Sequence, residues 1–271
     1  MANNQVEQIH ERLTRHIETL VTGDDWRAML AVAARFHNYS MRNIMLIEMQ
    51  NPEATRVAGY RVWQSLGRQV RKGEKGIKIL APCTYKRDDN TNGDDTRVLR
   101  GFRLATVFDI AQTDGDEIAD VRPTLLKGDG PVGLWAALEA QVLDHGYRIE
   151  RGDTRPANGV TDFATNVVTI GDTLEPAQAV KTLAHELGHI ACGHRDRLGE
   201  DRDVLEVEAE SVAYIVCATA GLASDTYTFP YVARWAGGDL ATITATGTRV
   251  VETASTIIDT MNTKRPALTA G

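Results

Sequence analysis

Apolar residues recur at helical spacing along the first fifty positions of the chain. In residues 5–21 they fall at Val6, Ile9, Leu13, Ile17 and Leu20, which gives a helix one apolar side. The stretch DDWRAMLAVAARF repeats this spacing. SMRNIMLIEMQ predicts a third helix, which must end near Asn51 because Pro52 disfavours helical backbone at the residue before it. The chain therefore begins with three packed helices.

The pattern changes after these helices, where glycines interrupt short apolar runs. YRVWQSLG predicts a short helix that ends at Gly67, and RQVRKGEKGIKILAP predicts two strands around a turn flanked by glycines. VLRGFRLATVFDIAQ supplies a further strand. Residues 113–130 are acidic and contain three glycines and a proline, so we expect a linker there.

Helical and strand patterns return beyond the expected linker. GLWAALEAQVLDH predicts a helix, GYRIE and TNVVTI predict strands, and a helix is expected around residues 182–194. A last one runs from about Val204 to Ala220 and is closed by Gly221. The sequence thus predicts an α+β protein of two domains: residues 1–120, with helices and a β-hairpin, and residues 121–271.

The composition is that of a soluble globular protein, with 42% hydrophobic and 25% charged residues. No apolar run approaches the roughly 18 residues of a membrane span, and the polar start of the chain does not resemble a signal peptide. Three widely spaced cysteines indicate buried thiols in a reducing compartment. We therefore expect a cytoplasmic protein without a membrane partner.

Charge is distributed unevenly along the chain. The net charge is −7, yet residues 56–87 hold nine basic residues against a single acidic one, Glu74. A concentrated positive surface binds phosphates even on an acidic protein. Such a run is more often only a solvated face, so charge alone leaves both interpretations open.

The clearest chemical signal is the stretch TLAHELGHIACGH, residues 182–194. On a helix, the apolar residues between Val180 and Ala191 form one stripe, whereas His185 and His189 fall on nearly the opposite side. Two imidazoles one turn apart chelate one ion, and Glu186 between them is placed as the base of a metal-assisted hydrolysis. The alternative is a polar helix face that contains two histidines by chance.

A tetrahedral catalytic site needs a third protein ligand. His194 follows His189 by five residues rather than by the six of the H-E-x-x-H-x-x-G-x-x-H pattern, which disfavours it. On the next predicted helix Glu206 and Glu210 lie one turn apart on the same side, while Glu208 points about 200° away from Glu206. One carboxylate of the pair would bind the metal, and the other would hold a ligand imidazole by its second nitrogen.

Small residues occur where these two helices would meet. Gly188, Ala209 and Ala213 would let the helices approach closely. An acidic, solvent-exposed helix face is the alternative interpretation of the glutamates.

HELGH followed by EVEAESVAY resembles the ImmA/IrrE type of metallopeptidase domain, whose second helix carries an E-x-x-A-[NDE] pattern with its first Glu on the metal. The resemblance implies a zincin-like, gluzincin-type fold. It also implies that His185, His189 and Glu206 bind Zn²⁺, with Mn²⁺ as an alternative, while Glu186 is the catalytic base and Glu210 supports a ligand imidazole.

Relatives of this fold place a strand at the edge of the cleft, where an extended peptide adds itself as a further strand. The analogous segment in this chain would be residues 162–170. A purely structural strand is the alternative. The implied substrate is a protein or peptide whose identity the sequence does not reveal.

The segment from Tyr39 to Cys83, together with ATVFDIAQTDG, resembles the single-stranded-DNA-binding N-terminal domain of ArdC-type antirestriction proteins, and the order of the two domains matches as well. The resemblance covers about residues 5–235. It implies single-stranded DNA as a partner, with cations along the backbone and aromatic rings under the bases. The expected cations are Arg61, Arg68, Arg71, Lys72, Lys75 and Lys78, and the expected rings are Tyr39, Tyr60 and Trp63, although Trp63 also fits a core position.

Three hypotheses follow from the sequence. The first is a single-stranded-DNA-binding protein with a zinc peptidase site, acting in antirestriction or in the protection of DNA during transfer. The second keeps the DNA binding but makes the metal site structural or inactive. The third is a peptidase that cleaves a regulator, with the N-terminal half as a substrate adaptor.

Overall fold

A computed structural model describes residues 2–86, 97–117, 132–222, 227, 229–230 and 232–263. Helices and strands are mixed, which confirms the predicted fold class. The chain forms two compact units: unit 1 comprises Met1–Thr19 and Arg42–Ala119, and unit 2 comprises Leu20–Met41 and Asp120–Gly271. Residues 20–41 thus belong to unit 2, whereas the sequence placed them in the first domain. The limits 1–120 and 121–271 stay a prediction.

The first elements follow the apolar pattern closely. In chain order they are α1 (Ala2–Glu18), α2 (Gly23–Arg35), α3 (Met41–Gln50), β1 (Val57–Gly59), α4 (Tyr60–Ser65), β2 (Arg68–Val70), β3 (Ile77–Lys86), β4 (Arg97–Asp109) and β5 (Thr113–Gly115). A capping box begins α2: Thr22 Oγ1 accepts a hydrogen bond from the Asp25 backbone N–H, and the Asp25 carboxylate accepts one from the Thr22 N–H. The predicted helices are all present, and β1 is an additional strand.

The strands of unit 1 pair differently from the prediction. β2 and β3 flank a glycine-containing turn, as expected, but they do not pair with each other. Instead β2 pairs with β5, while β3 forms a long antiparallel hairpin with β4, and β1 pairs with the other side of β4. Thr113–Gly115 is therefore a strand rather than the start of a linker. Residues 118–130 of the predicted linker lie outside the described residues.

Side chains of α3 satisfy the open edge of β3. The Asn43 amide donates to the Leu80 carbonyl and accepts from the Leu80 N–H, both at 2.9 Å. Gln50 makes the same pair of contacts with the Lys78 backbone, again at 2.9 Å. Backbone N–H and C=O groups cost free energy when they are shielded from water without a partner. The two side-chain amides supply these partners on β3 and so fix α3 on the sheet.

Unit 2 is built around two adjacent helices. From residue 132 the elements are α5 (Val132–Asp144), β6 (Arg148–Gly152), β7 (Gly159–Asp162), β8 (Val167–Gly171), α6 (Pro176–Ala191), α7 (Arg202–Thr219), α8 (Val232–Ala236) and α9 (Leu240–Thr263). The sheet order is β6-β8-β7, with β6 parallel and β7 antiparallel to β8. β7, α8 and α9 are additional to the predicted elements.

The contact between α6 and α7 is as close as the small residues predict. A Cβ atom at Gly188 would lie 2.9 Å from the Ala209 carbonyl oxygen. Leu183 and Leu187, from the apolar stripe of α6, are fully buried. Among the described residues, no helix has both the length and the apolar character to cross a membrane.

Candidate metal centre

The structure brings the three predicted metal ligands together. His185 and His189 lie one turn apart on α6, and Glu206 projects from α7 toward both. The two Nε2 atoms are 3.0 Å apart, and Glu206 Oε2 lies 3.5 Å from that of His185 and 3.7 Å from that of His189. These three atoms form a triangle that faces a cleft.

The triangle has the size that a tetrahedral metal ion requires. With ligand bonds of about 2.0–2.1 Å, neighbouring ligand atoms of a tetrahedral zinc site are about 3.3 Å apart. The observed edges of 3.0, 3.5 and 3.7 Å bracket this value. Two imidazole nitrogens and one carboxylate oxygen suit Zn²⁺ and also Mn²⁺. The donor set therefore fits a divalent metal ion.

The electrostatics of the cluster favour a positive charge at its centre. Burial acts to lower the pKa of His185, but hydrogen bonds to Glu206 and Glu210 outweigh it and raise the pKa to about 10. The neighbouring His185 and His189 in turn lower the pKa of Glu206. A metal cation would occupy the same favourable potential as the proton, so it has to compete with that proton.

Glu210 orients the first histidine, as its position on α7 predicts. Its Oε2 lies 2.8 Å from His185 Nδ1. A carboxylate only accepts hydrogen bonds, so the proton of a neutral His185 belongs on Nδ1. The lone pair on Nε2 then points into the triangle, which is the usual way in which a carboxylate supports a metal-binding histidine.

Glu186 is held beside the triangle by strand β7. It is 5% exposed, and its Oε2 accepts a hydrogen bond of 2.6 Å from Thr161 Oγ1. A Cβ atom at Gly159 would lie only 2.8 Å from Glu186 Oε1. The strand therefore fixes one oxygen of this carboxylate by a hydrogen bond and leaves no room for a side chain at residue 159 beside the other, as suits a base held in one position.

A cleft of about 780 Å³ contains the triangle, and β7 forms part of its wall. In the described residues β7 is an edge of the sheet, whereas β8 lies between β6 and β7. The expectation that residues 162–170 provide the peptide-binding edge is therefore wrong, because Val167–Ile170 already pair on both sides. The edge available in the cleft is Gly159–Asp162.

Sequence reasoning missed a buried network behind His189. Gly193 adopts a positive φ of 71°, which turns the chain after α6 and brings His194 back against the helix. His194 Nδ1 lies 2.7 Å from His189 Nδ1, and His194 Nε2 lies 3.0 Å from Glu208 Oε2. His194 and Glu208 are each 1% exposed. The signal available in the sequence was a glutamate on the apolar side of α7, where a charge needs partners.

Two arginines neutralise this buried carboxylate. Arg197 reaches Glu208 at 2.5 Å and Arg249 of α9 reaches it at 3.1 Å. Burial acts to raise the pKa of Glu208, but His194 and Arg197 outweigh it and lower the pKa. Glu208 is therefore an anion inside the protein, which is tolerated because it is paired on several sides.

Cys192, His194 and Glu208 also have their ligand atoms within 4.8 Å of one another. This second cluster does not suit a metal ion. Its carboxylate is already bound to two arginines. Burial also raises the pKa of the Cys192 thiol to about 11, which disfavours the thiolate that a metal would require.

The predicted DNA-binding residues have different environments. Trp63 is fully buried and donates from Nε1 to the Phe108 carbonyl at 2.8 Å, so its ring belongs to the core and is not a platform for a base. Arg68 donates to Thr113 Oγ1 at 2.8 Å and to the Thr113 carbonyl at 2.9 Å, which makes it a clamp on β5. Arg71 is paired with acidic side chains, including Glu74 at 2.8 Å. The side chains of these three residues are therefore already engaged within unit 1.

The remaining predicted residues are more accessible. Arg61, Lys72 and Lys75 are exposed, and the described residues offer them no ion pair. Lys78 is exposed and donates to Thr106 Oγ1 at 2.7 Å. Tyr60 is 42% exposed and accepts a hydrogen bond from Gln69.

Tyr39 belongs to unit 2 rather than to unit 1. Its ring packs edge-on against Phe36, with centroids 6.0 Å apart. Burial raises the pKa of its hydroxyl. A contact between Tyr39 and DNA stays a prediction.

Comparison with protein families accounts for both parts of the chain. Residues 3–109 match the model of the N-terminal domain of anti-restriction factor ArdC, and residues 141–221 match the model of the IrrE N-terminal-like domain. Fold and motifs thus define a two-domain protein in which an ArdC N-terminal domain precedes an IrrE-like domain. The chain is therefore similar to ArdC in its first part and to IrrE-like domains in its second.

Two further relatives are similar to the chain over much of its length. An uncharacterized protein of Bacillus anthracis is 26% identical over 323 aligned positions, which cover 95% of this chain and 52% of the relative. An uncharacterized protein of Sinorhizobium fredii (strain NBRC 101917 / NGR234) is 29% identical over 209 positions, covering 65% of this chain and 61% of the relative. The chain therefore spans only about half to three fifths of the length of these relatives.

Solved structures show the same fold. The metal-free crystal structure of the antirestriction protein ArdC from plasmid R388 has a TM-score of 0.53 and 22% identity, covering 82% of this chain and 83% of that one. The Mn(II)-bound structure of that protein has a TM-score of 0.51 and 20% identity, covering 88% and 99%. At these identities the comparison establishes the shared fold.

Proposed function

We propose that the chain is a metal-dependent peptidase joined to a domain that binds single-stranded DNA, and that it protects DNA from restriction in the cytoplasm. The proposed peptidase activity rests on one observation: His185, His189 and Glu206 form a triangle in an open cleft, with Glu186 beside it. Zn²⁺ is the proposed ion, because two imidazoles and one carboxylate are a common catalytic zinc set. The Mn(II)-bound ArdC structure makes Mn²⁺ the alternative.

The cleft suits an extended peptide. The outer edge of β7 offers backbone groups to which a peptide can add as a further strand. Two exposed apolar side chains, Val160 at 48% and Leu198 at 67% exposure, lie in the lining. They offer contacts for apolar substrate side chains, which a site used only for holding an ion does not need.

Glu186 would carry the proton in the reaction. A divalent ion in the triangle supplies Lewis acidity toward a water molecule and toward the peptide carbonyl. Glu186 Oε1, the oxygen that Thr161 does not bind, accepts a proton from the attacking water. The same carboxyl group then returns this proton to the leaving amine nitrogen, so the C–N bond breaks as the acid and the amine form.

A peptide library tests the peptidase proposal. Zinc-loaded wild-type chain is incubated with the library and new termini are identified by mass spectrometry, beside Glu186→Gln and the control Glu252→Gln, which changes an exposed carboxylate on α9. We expect cleavage by wild type and control and none by Glu186→Gln. Bound zinc without cleavage by wild type would instead favour a structural or inactive site.

The same comparison in cells separates protection of DNA from cleavage of a regulator. In a restriction assay, loss of protection in Glu186→Gln supports a role for cleavage in antirestriction. Full protection by that variant supports the hypothesis of an inactive site. The regulator-cleaving peptidase is supported by two results together: the chain binds no DNA, and a cellular protein accumulates only in cells that carry Glu186→Gln.

DNA binding is proposed for the exposed basic surface of unit 1. Lys72 and Lys75 lie in the turn between β2 and β3, and both side chains are exposed. Further contacts with DNA are proposed for three exposed side chains, Arg61, Lys78 and Tyr60. Cations of this kind release counterions from a phosphate backbone, so binding must weaken steeply with salt.

Charge reversal tests this surface. Lys72→Glu with Lys75→Glu is compared with Arg12→Glu and Arg15→Glu on α1, which changes the net charge by the same amount. Affinity for a single-stranded oligonucleotide is measured from low to high salt. The slope of log affinity against log salt concentration is negative, and it should become shallower by about 0.7 for each phosphate that the Lys72→Glu, Lys75→Glu variant no longer neutralises. In the Arg12→Glu, Arg15→Glu variant the slope should equal that of wild type. Equal slopes in all chains would remove this surface from the proposal.

A further inference from the structure

The buried network behind His189 has one consistent direction of hydrogen bonding. A short contact between two imidazole nitrogens needs one protonated and one bare nitrogen, and His189 Nδ1 and His194 Nδ1 are 2.7 Å apart. The geometry alone allows either ring to be the donor. The direction is set by what lies at the far end of the network.

Glu208 determines that direction. With Arg197 and Arg249 beside it, the carboxylate is an anion and only accepts, so the proton of His194 belongs on Nε2, 3.0 Å from Glu208 Oε2. A neutral imidazole carries a single proton. Nδ1 of His194 is then bare and must accept from His189 Nδ1–H.

The consequence reaches the proposed metal. A neutral His189 with its proton on Nδ1 has a bare Nε2, which is the atom that faces His185 and Glu206 across the triangle. We infer that His194 and Glu208 are positioning residues: they fix His189 in the tautomer that leaves Nε2 able to bind a metal. Glu210 does the same for His185 directly, so the two ligand histidines are set by separate carboxylates on one helix.

This inference rests on the proposed metal site but not on peptide cleavage. Zinc affinity of the full chain is measured against a competing chelator for wild type, His194→Leu and His194→Gln. We expect His194→Leu to bind zinc about 10- to 100-fold more weakly, the range seen when a metal-bound histidine is deprived of its hydrogen-bond partner. Glutamine accepts with its carbonyl and donates with its amide, so His194→Gln should recover most of the affinity.

A second pair of variants isolates the anion. Glu208→Gln removes the charge that faces His194, whereas the control Glu200→Gln removes an exposed carboxylate that pairs with the same Arg197 without touching His194. Nitrogen-15 NMR of the zinc-loaded chain reports the tautomers, with the His194→Gln variant assigning the His194 signals. We expect the Nε2–H form of His194 in wild type and Glu200→Gln, and a mixture in Glu208→Gln.

The outcomes separate the two proposals. If wild type binds no zinc, the proposed function and the inference both fail. If wild type and His194→Leu bind zinc equally, or if wild-type His194 carries its proton on Nδ1, the inference fails while the metal site remains. If His194→Leu does not fold, the tautomer of His194 in the wild-type chain decides alone.

Discussion

Gly188→Ala tests how the metal triangle is assembled from two helices. An alanine is a better helix former than glycine by about 1 kcal/mol, so an isolated helix would gain stability. In this chain, however, the added Cβ would lie 2.9 Å from the carbonyl oxygen and 3.0 Å from the Cα atom of Ala209. Both are backbone atoms of α7, so no flexible side chain is available to move aside.

The geometry gives the size of the effect. Carbon atoms pack at about 3.5–4.0 Å, so the two helices must separate locally by roughly 0.5–1 Å. Overpacking of this kind costs about 1–3 kcal/mol, which equals or exceeds the gain in helix propensity and leaves a net loss of up to about 2 kcal/mol. The edges from Glu206 to His185 and His189, now 3.5 and 3.7 Å, lengthen, while the edge within α6 does not. Zinc affinity should therefore fall by about tenfold or more.

Two measurements check this prediction. Urea unfolding of the zinc-free chain gives the free energy of unfolding, and chelator competition gives the zinc affinity. Gly133→Ala is the matched control, because Gly133 is a helical glycine of α5 with no atom within 4 Å of an added Cβ. It should be neutral or slightly stabilising and leave zinc binding unchanged. A Gly188→Ala chain that is as stable as the control and binds zinc equally would refute the close packing of α6 and α7.

Three further outcomes follow from the site. Because the pKa of His185 is raised to about 10, zinc must displace a proton, and zinc affinity should rise about tenfold per pH unit between about pH 6 and 7.5. The same shift in pKa stabilises the zinc-free chain below about pH 6.5. This stabilisation is lost as the pH rises toward 10. A pH-independent affinity would contradict this. Gly159→Ala should displace Glu186 and lower the rate of peptide cleavage about 100-fold without changing the zinc content, whereas Gly152→Ala, whose Cβ meets only Thr169 Cγ2 at 3.5 Å, should change neither. With free zinc held at 100 times its dissociation constant, removal of the zinc should lower the free energy of unfolding by about 2.7 kcal/mol. A smaller change would mean that the unfolded chain binds zinc as well.

The sequence predicted that His185, His189 and Glu206 lie close together, because helical geometry relates their positions. A residue advances by about 100° along a helix, so His185 and His189 share a side, as do Glu206 and Glu210. Close packing at Gly188 then brings the two pairs face to face. None of these steps depends on distant parts of the chain.

Contacts between distant segments were beyond the sequence pattern. α9 was not predicted because threonine is frequent in it and β-branched residues disfavour helix. In the structure, threonine hydroxyls of α9 donate to carbonyls four residues earlier, as Thr244 does to Leu240 at 2.8 Å, and apolar residues such as Val250 and Ile258 are fully buried. Tertiary packing therefore outweighs propensity. Trp63 shows the same limit, since an aromatic residue beside basic residues fits both a core and a DNA-binding surface.

The three glutamates of α7 show how the buried core and the cleft depend on one helix. Glu206 and Glu210 face the cleft, and Glu208, rotated by two residues, faces Arg197 and Arg249 inside unit 2. Because Glu208 is buried and paired, α7 is not free to rotate about its axis without leaving a charge unpaired, at a cost of about 3–5 kcal/mol. The orientation of α7 that pairs Glu208 with the arginines is also the one that points Glu206 at His185 and His189. The interior ion pairs thus fix the position of Glu206, which they do not touch, and Arg249 extends this constraint to α9.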